Sequence, residues 1–283
     1  MSPAVIGPSS ELEQLVALLA AGEVFVLTGA GASTDSGIPD YRDEHGAWKH
    51  RPPMQIREFT GTLAARRRYW ARSLVGYARL ARARPNAAHH ALAELERHSR
   101  LSLTVTQNVD GLHAAAGSRD VLDLHGRIDR VVCLGCRRTL PRLELQAALE
   151  RENPGWAERK ADVTPDGDAE LGAVDYSAFR VVDCAHCGGM LKPDVVFFGE
   201  GVPRAQVERA FAALERSRAL LVVGSSLMVF SGFRFARHAA GLGLPIAIVN
   251  RGVTRADELS ELRIAGNAGE VLARAVAGLA LEA

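Results

Sequence analysis

Val24-Phe25-Val26-Leu27-Thr28-Gly29-Ala30-Gly31-Ala32-Ser33 is an unbroken apolar run that ends in a glycine turn. Such a run reads as a short strand buried on both faces, entering a tight loop. Upstream, Leu12, Leu15, Val16 and Leu19 recur at helical spacing over residues 10–20, with Ser9 or Ser10 placed to cap the helix and Gly22 to end it. Downstream, apolar runs return at 101–106, 121–124, 220–223 and 245–249, each flanked by helical stretches or polar turns. Buried strands alternating with helices predict an α/β fold, a parallel sheet with helices on both faces.

Two segments break that rhythm. Residues from about 43 to 85 are rich in Arg and aromatics and read as helical, and seven Arg but no acid fall within 60–85. A solvated helix face is the ordinary meaning of such a run. Residues from about 130 to 192 hold all four cysteines, as Cys133 with Cys136 and Cys184 with Cys187, and a Pro/Gly/Asp-rich stretch at 153–172. The expected organisation is a large domain made of residues 1–42, 86–129 and 193–283, and a small domain made of a helical part, 43–85, and a metal-binding part, 130–192. The 283 residues suit that arrangement, and 47% hydrophobic with 24% charged residues excludes a disordered or collagen-like chain.

A formal net charge of +1 supplies no field to draw the chain onto nucleic acid or an anionic membrane, so neither partner is expected. No apolar run approaches the roughly 20 residues of a membrane helix. With no signal or transit pattern at the N-terminus, a cytoplasmic protein is expected. In that setting two Cys-x-x-Cys pairs favour a closed tetrathiolate zinc site over disulfides, with redox cysteines as the alternative. His186, inside the second pair, is a further possible ligand but reads as solvent-facing.

The turn at Gly29–Ser33 suits a pyrophosphate, because glycines admit a close ligand and free N–H groups there donate to phosphate oxygens. Thr34 stands where G-x-G-x-x-G requires its third glycine, and no ribose-binding acid follows about 20 residues on, which counts against an ordinary dehydrogenase. Other strand ends are polar too: Gln107-Asn108-Val109-Asp110, His125-Gly126, Gly224-Ser225-Ser226 and Asn250-Arg251-Gly252. In open α/β sheets such ends line one crevice. Asn108 and Asp110 suit a carboxamide, which needs an acceptor and a donor, although an Asx turn would also explain Asp110. His125 is placed as a general base or a structural histidine.

Together these segments resemble the sirtuin family of NAD-dependent protein deacylases. The resemblance rests on Gly29-Ala30-Gly31-Ala32-Ser33, Gly37-Ile38-Pro39-Asp40-Tyr41-Arg42, Thr106-Gln107-Asn108-Val109-Asp110, Leu124-His125-Gly126, the two cysteine pairs, Lys192-Pro193-Asp194-Val195-Val196-Phe197-Phe198-Gly199-Glu200 and Gly224-Ser225-Ser226, in the family's order. Arg68-Tyr69-Trp70-Ala71-Arg72 and Pro165-Asp166-Gly167-Asp168 look most like class II, the mitochondrial lipoamidase/ADP-ribosyltransferase type and its bacterial relatives.

The resemblance implies a Rossmann-like domain beside a zinc-ribbon and helical domain, with NAD and one structural Zn²⁺ as cofactors. It implies that Gly29, Ala30, Gly31, Ala32, Ser33, Asp40, Tyr41 and Arg42 wrap the pyrophosphate and nearby ribose. Gln107, Asn108, Val109 and Asp110 would hold ribose and carboxamide, with Asn108 and His125 catalytic. Gly224, Ser225, Ser226, Asn250, Arg251, Gly252 and Ala268 would bind the adenosine half. Acyl-lysine side chains of protein substrates would lie along Val196, Phe197, Phe198 and Gly199. Tyr69 and Arg72, three apart on a helix, would clamp an acidic acyl end, with a surface Arg as the alternative. The implied reaction passes the acyl group to ADP-ribose and releases nicotinamide. Mono-ADP-ribosyl transfer from the same site, or a non-catalytic NAD-sensing adaptor, are the competing readings.

Overall fold

The computed structural model describes residues 10–49, 52–159, 161–164 and 167–279. In chain order the elements are α1 (Glu11–Ala21), β1 (Val24–Thr28), α2 (Ile56–Gly61), α3 (Leu63–Leu80), α4 (Ala87–Arg97), β2 (Leu101–Thr106), α5 (Leu112–Ala115), β3 (Val121–Asp123), β4 (Gly126–Cys133), β5 (Thr139–Pro141) and α6 (Arg142–Glu152). There follow β6 (Asp162–Val163), β7 (Ala169–Glu170), β8 (Leu191–Val195), α7 (Arg204–Leu214), β9 (Ala219–Val223), α8 (Phe230–Gly241), β10 (Ile246–Val249), β11 (Leu262–Ile264) and α9 (Ala268–Gly278).

The helix at the N-terminal side starts as its sequence requires. Ser10 Oγ accepts from the Glu13 N–H while the Glu13 carboxylate accepts from the Ser10 N–H, a reciprocal cap, and Gly22 closes the helix at φ +76°. Six strands form a parallel sheet in the order β11-β10-β9-β1-β2-β3. Alternation along β1 supplies two cores. Val24 and Val26 face Leu15, Leu19, Leu92 and Leu272 of α1, α4 and α9, whereas Phe25 and Leu27 face Leu214 and Phe235 of α7 and α8. Each such side chain contributes roughly 1.5–3 kcal/mol by leaving water. Because β2 and β3 lie to one side of β1 and β9 to β11 to the other, the strand order reverses between β1 and β9, and a crevice opens there. The edge strand β11 was not expected from the sequence: it has three residues, of which Leu262 is buried.

A second layer of structure packs beside this sheet. Strand β4 pairs antiparallel with β5 and β8, and α2, α3 and α6 close over Phe59, Trp70, Leu74, Leu145, Leu149, Phe179 and Phe197. Here α3 confirms the helical reading of 63–80, but the described residues within 43–55, which are 43–49 and 52–55, are not helical. Pro52 and Pro53 lack the N–H a helix interior needs, and the helix begins only at Ile56. Arg142 lies fully buried among α3 side chains, stacked on Tyr77 at 4.4 Å and bonded through Nη1 to Gln146 Oε1 at 2.7 Å. Pro165 and Asp166, half of one class II signature, lie outside the described residues.

Two imidazoles are sealed behind the β1–β2 strand ends. His113 Nε2 donates to Thr28 Oγ1 at 2.9 Å, since the Thr28 proton goes to Thr106 Oγ1, and its ring lies 4.8 Å from that of His89. Burial disfavours their charged forms and lowers His89 to about 4 and His113 to about 3. The unfolded chain therefore takes up these protons first as pH falls below 6.5, and folding stability declines towards the folded values by about 1.4 kcal/mol per group per pH unit. Urea midpoints should accordingly drop between about pH 7 and about pH 5. An unchanged midpoint would show that these rings are not held neutral.

Candidate active site

Where the strand order reverses, two backbone turns meet. Gly31 N–H donates to the Gly224 carbonyl at 2.8 Å and Gly29 N–H to that of Val223 at 3.1 Å. A Cβ on Gly31 would lie 2.9 Å from Gly224 Cα, and one on Gly224, at φ +59°, would lie 2.3 Å from Ala32 N. Side chains are excluded from both turns by one another's backbone. The N–H groups of Ala32 and Ser33 bond to Gly29 and Ala30 carbonyls. These donors are therefore spent in the fold, contrary to the expectation that they stand free for a phosphate.

In front of the turns opens a cavity of about 510 Å³. It brings together Gly29, Ala30, Gly31, Ser33, Asp40, Tyr41, Arg42, Gln107, Asn108, Val109, Asp110, His125, Gly224, Ser225, Ser226, Asn250, Arg251, Gly252 and Ala268, together with Tyr69, Val196, Phe197, Phe198 and Gly199. Ala32 and Arg72 are not among the lining. Ala32 is turned into the core against α1, α4 and α9. Arg72 gives its Nε to the Ala169 carbonyl at 2.8 Å and is not among the residues lining the cavity to which Tyr69 contributes.

Ser33 organises the polar end. Its hydroxyl donates to Asp110 Oδ2 at 2.7 Å and accepts from Asn108 Nδ2 at 3.0 Å, while Asn108 also donates to the Gly29 carbonyl. Asp110 Oδ1 accepts from the Leu112 N–H at 2.9 Å, so the Asx-turn reading of Asp110 also holds. Gln107 is clasped between Ser225, whose hydroxyl donates to its Oε1 at 2.6 Å, and Gly232. Both Asn108 Nδ2 hydrogens are used within the fold, so the locked pair offers a ligand acceptors, Asn108 Oδ1 and the Asp110 carboxylate, which suit the N–H₂ end of a carboxamide.

His125 is fixed at both nitrogens. The Gln107 carbonyl can only accept, so Nδ1 carries the proton of the 2.9 Å contact, leaving the Nε2 lone pair to accept from Ser231 Oγ at 2.9 Å. Burial keeps the imidazole neutral by lowering its pKa below 6.5; the Arg234 charge pushes the same way. His125 and Ser231 both line the cavity, and the Ser231 hydroxyl holds the lone pair that a general base would use. Gly126 makes this placement possible: at φ +79°, with a Cβ position 2.1 Å from the Asp194 carbonyl, it lets β4 leave His125 and pair at once with β8.

Over the other wall, residues 40–49 fold into a small hairpin. Arg42 pairs with Trp48 across it, its guanidinium 4.1 Å from the indole and donating to the Gly46 carbonyl, and Asp40 pairs with Lys49. The Val253 N–H donates to the Glu44 carbonyl, and a Cβ on Gly252 would lie 2.6 Å from Glu44 Cα, so this glycine seats the hairpin. Beyond β8, residues 196–199 line the cavity, but their backbone is partly engaged: Val196 N–H donates to the His125 carbonyl and Ile56 N–H to that of Phe198. Phe197 packs in the core with Phe59 and Tyr69, and Phe198 against Trp48.

Trp48, Ser231 and Arg234 line the same cavity and were not identified from sequence. Ser231 and Arg234 sit at the start of α8, inside an amphipathic stretch that carries no motif. Their only sequence signal is that they follow Gly224-Ser225-Ser226 closely.

The four cysteines converge about 50 residues apart in sequence. Their sulfurs lie within 4.8 Å of one another, with Cys133–Cys187 at 3.5 Å and Cys136–Cys184 at 3.8 Å. A tetrahedral ZnS₄ centre with about 2.3 Å bonds requires sulfur–sulfur edges near ~3.8 Å, so the donor set fits zinc and leaves no open position. The Cys136 N–H, 3.5 Å from Cys133 Sγ, favours the thiolate of Cys133, whereas the neighbouring sulfurs push the Cys187 thiol up, as four thiols packed together must. His186 is exposed and outside the cluster.

Comparison with known proteins agrees with this geometry. The sequence model of the Sir2 family matches residues 29–231. The NAD-dependent protein deacetylase of Xanthomonas campestris pv. campestris (strain B100) is 60% identical over 250 residues, 88% of this chain and 85% of that protein. The NAD-dependent protein deacetylase of Bordetella bronchiseptica (strain RB50) is 56% identical over 268 residues, 94% of this chain and 98% of that one. A Sir2 structure containing a deacetylated peptide and 3′-O-acetyl ADP-ribose superposes with TM-score 0.77 at 28% identity, covering 94% of this chain and 98% of that one.

Replacing one sulfur leaves three thiolates around the same point. Cys187→Ser should therefore lower bound zinc, read by atomic absorption, and lower the melting temperature. Cysteines titrating freely in metal-replete native protein would instead favour the redox alternative.

Proposed function

The chain belongs to the Sir2 family, and from that membership we propose that it is an NAD-dependent protein deacetylase that also accepts larger acyl groups, passing the acyl group of a modified lysine to ADP-ribose with release of nicotinamide and, by one water, of free lysine. The observation that carries this reading is the neutral His125, its Nε2 bonded only to the Ser231 hydroxyl, in the wall of a cavity that Gln107, Asn108, Asp110 and residues 196–199 also line. Among the described residues, no helix is long and apolar enough to cross a membrane.

When bound, NAD supplies an activated ribose carbon and the hydroxyls beside it. Asn108 and Asp110, locked through Ser33, orient the carboxamide. His125 takes a proton from a ribose hydroxyl at Nε2, Ser231 Oγ giving way, while its Nδ1–H stays bonded to the Gln107 carbonyl and holds the ring. The acyl-lysine enters along Val196, Phe197, Phe198 and Gly199, whose rings exclude water. Free backbone groups of this segment pair with the peptide by β-augmentation. The cysteine cluster, filled by zinc, braces the layer of β4, β5 and β8 and takes no part in the chemistry.

Two finer readings belong to this proposal. One places the chain in the class II branch, supported by Arg68-Tyr69-Trp70-Ala71-Arg72. The other divides it into domains at 42/43, 85/86, 129/130 and 192/193, with β4 and β8 running across the last two divisions.

Purified protein, NAD and lysine peptides carrying acetyl, succinyl, glutaryl, methylglutaryl or lipoyl groups, followed by mass spectrometry, test the reading. Expected products are free lysine peptide and O-acyl-ADP-ribose. Nicotinamide release without acyl loss would point to ADP-ribosyl transfer, and no NAD turnover to an adaptor. His125→Ala should reduce turnover by about 10²- to 10⁴-fold. Because burial lowers the His125 pKa, the acidic limb of the rate profile should fall below pH 6.5; a limb above it contradicts the neutral-base assignment.

A further inference from the structure

The cations lining the cavity are not equivalent. Arg42 is stacked on Trp48 and bonded to Gly46, and Lys49 is paired with Asp40. Neither Arg234 nor Arg251 makes an ion pair or hydrogen bond to any described residue, but Arg251 is exposed, whereas the Arg234 Nε is shut away from solvent without an acceptor. Leaving a half-buried guanidinium unpaired is costly, and a ligand anion removes that cost.

Its position says which ligand. Arg234 lies one helical turn beyond Phe230 and Ser231 on α8, on the face where Ser231 Oγ meets His125 Nε2. Its charge reaches far enough to act on the imidazole. The Phe230 ring, 47% exposed at the cavity wall, lies 5.5 Å from the Arg234 guanidinium and 5.3 Å from that of Arg237. The same guanidinium also walls a groove of about 310 Å³ between α7 and α8, shared with Arg237. Arg72, which sequence spacing favours for an acidic acyl end, is committed to the Ala169 carbonyl outside the cavity.

We infer that Arg234 is a specificity-determining residue that receives a carboxylate of the substrate, carried either at the end of the acyl chain or on the residue next to the acylated lysine. The inference rests on the deacylase reading and deepens it by naming a substrate class. The planar fork of Arg234 takes both carboxylate oxygens at once, whereas a lysine there would offer a point charge.

Fluorescent peptides read by anisotropy test this without turnover. One pair compares glutaryl-lysine with a neutral acyl-lysine of equal length, and the other sets Glu against Gln beside acetyl-lysine. The enzyme should bind the carboxylate member of one pair about tenfold or more tightly. Arg234→Met should erase that preference and Arg234→Lys should keep part of it, the latter deciding the matter if the Met variant melts early. The pair that shows the effect identifies where the carboxylate sits. A preference that survives in both variants, or wild-type protein that discriminates in neither pair or binds none of the peptides, overturns the inference. NAD-dependent loss of acetyl from the Gln peptide is scored separately. Its absence speaks against the deacylase and leaves the binding preference to stand or fall by itself.

Discussion

The contact between Gly31 and the Gly224 carbonyl sets the geometry on which the rest of the molecule depends. With a Cα–backbone approach this close, neither turn admits a side chain, and the ends of β1 and β9 stay in register above the point where strand order reverses. The polar end of the cavity is hung from that junction: Ser33 and its partners from the first turn, Ser225 with Gln107 from the second, and α8 from the loop that follows. The glycines thus act first on the protein's own backbone, and only through it on a ligand.

A second junction joins the two layers. Gly126 turns the chain from the edge of the parallel sheet into β4, against the backbone of β8, where Val196 N–H meets the His125 carbonyl. One residue thereby places the imidazole at the parallel strand end and ties the wall at 196–199 to it. The cysteine cluster lies at the other end of β4, so the metal centre acts on His125 only through the stiffness of that strand. Neutrality of His125, a bonded Nδ1 and an Nε2 held by Ser231 all follow from this placement and from burial.

Much of the site was legible because its residues are the kind strand ends rarely carry. Gln107, Asn108, Asp110 and His125 follow apolar runs directly, and a strand end is where a parallel sheet exposes its loops. The cysteine pairs were legible because metal geometry limits their spacing. What was not legible depends on partners far away in sequence. Arg72 has the right helical spacing to Tyr69, yet the Ala169 carbonyl claims it. Arg234 reads as one surface Arg among many until the absence of any described partner is seen. Residues 43–55 mislead because aromatic and Arg content is shared by helices and hairpins, and two prolines outweigh it.

The chain's own order of residues determined that a doubly covered parallel sheet would form, that its first turn would be glycine-built, and that four thiolates would be available to one ion. Periodicity, turn chemistry and local spacing are properties of neighbouring residues, so they can be read without the fold. Only the tertiary structure decided which polar groups remain available: that the N–H groups of Gly29, Gly31, Ala32 and Ser33 are spent, that Ser231 holds the His125 lone pair, and that Arg234 but not Arg72 lines the cavity. Hydrogen-bond satisfaction is a competition among groups brought together from distant parts of the chain, and its outcome exists only once the layers have packed.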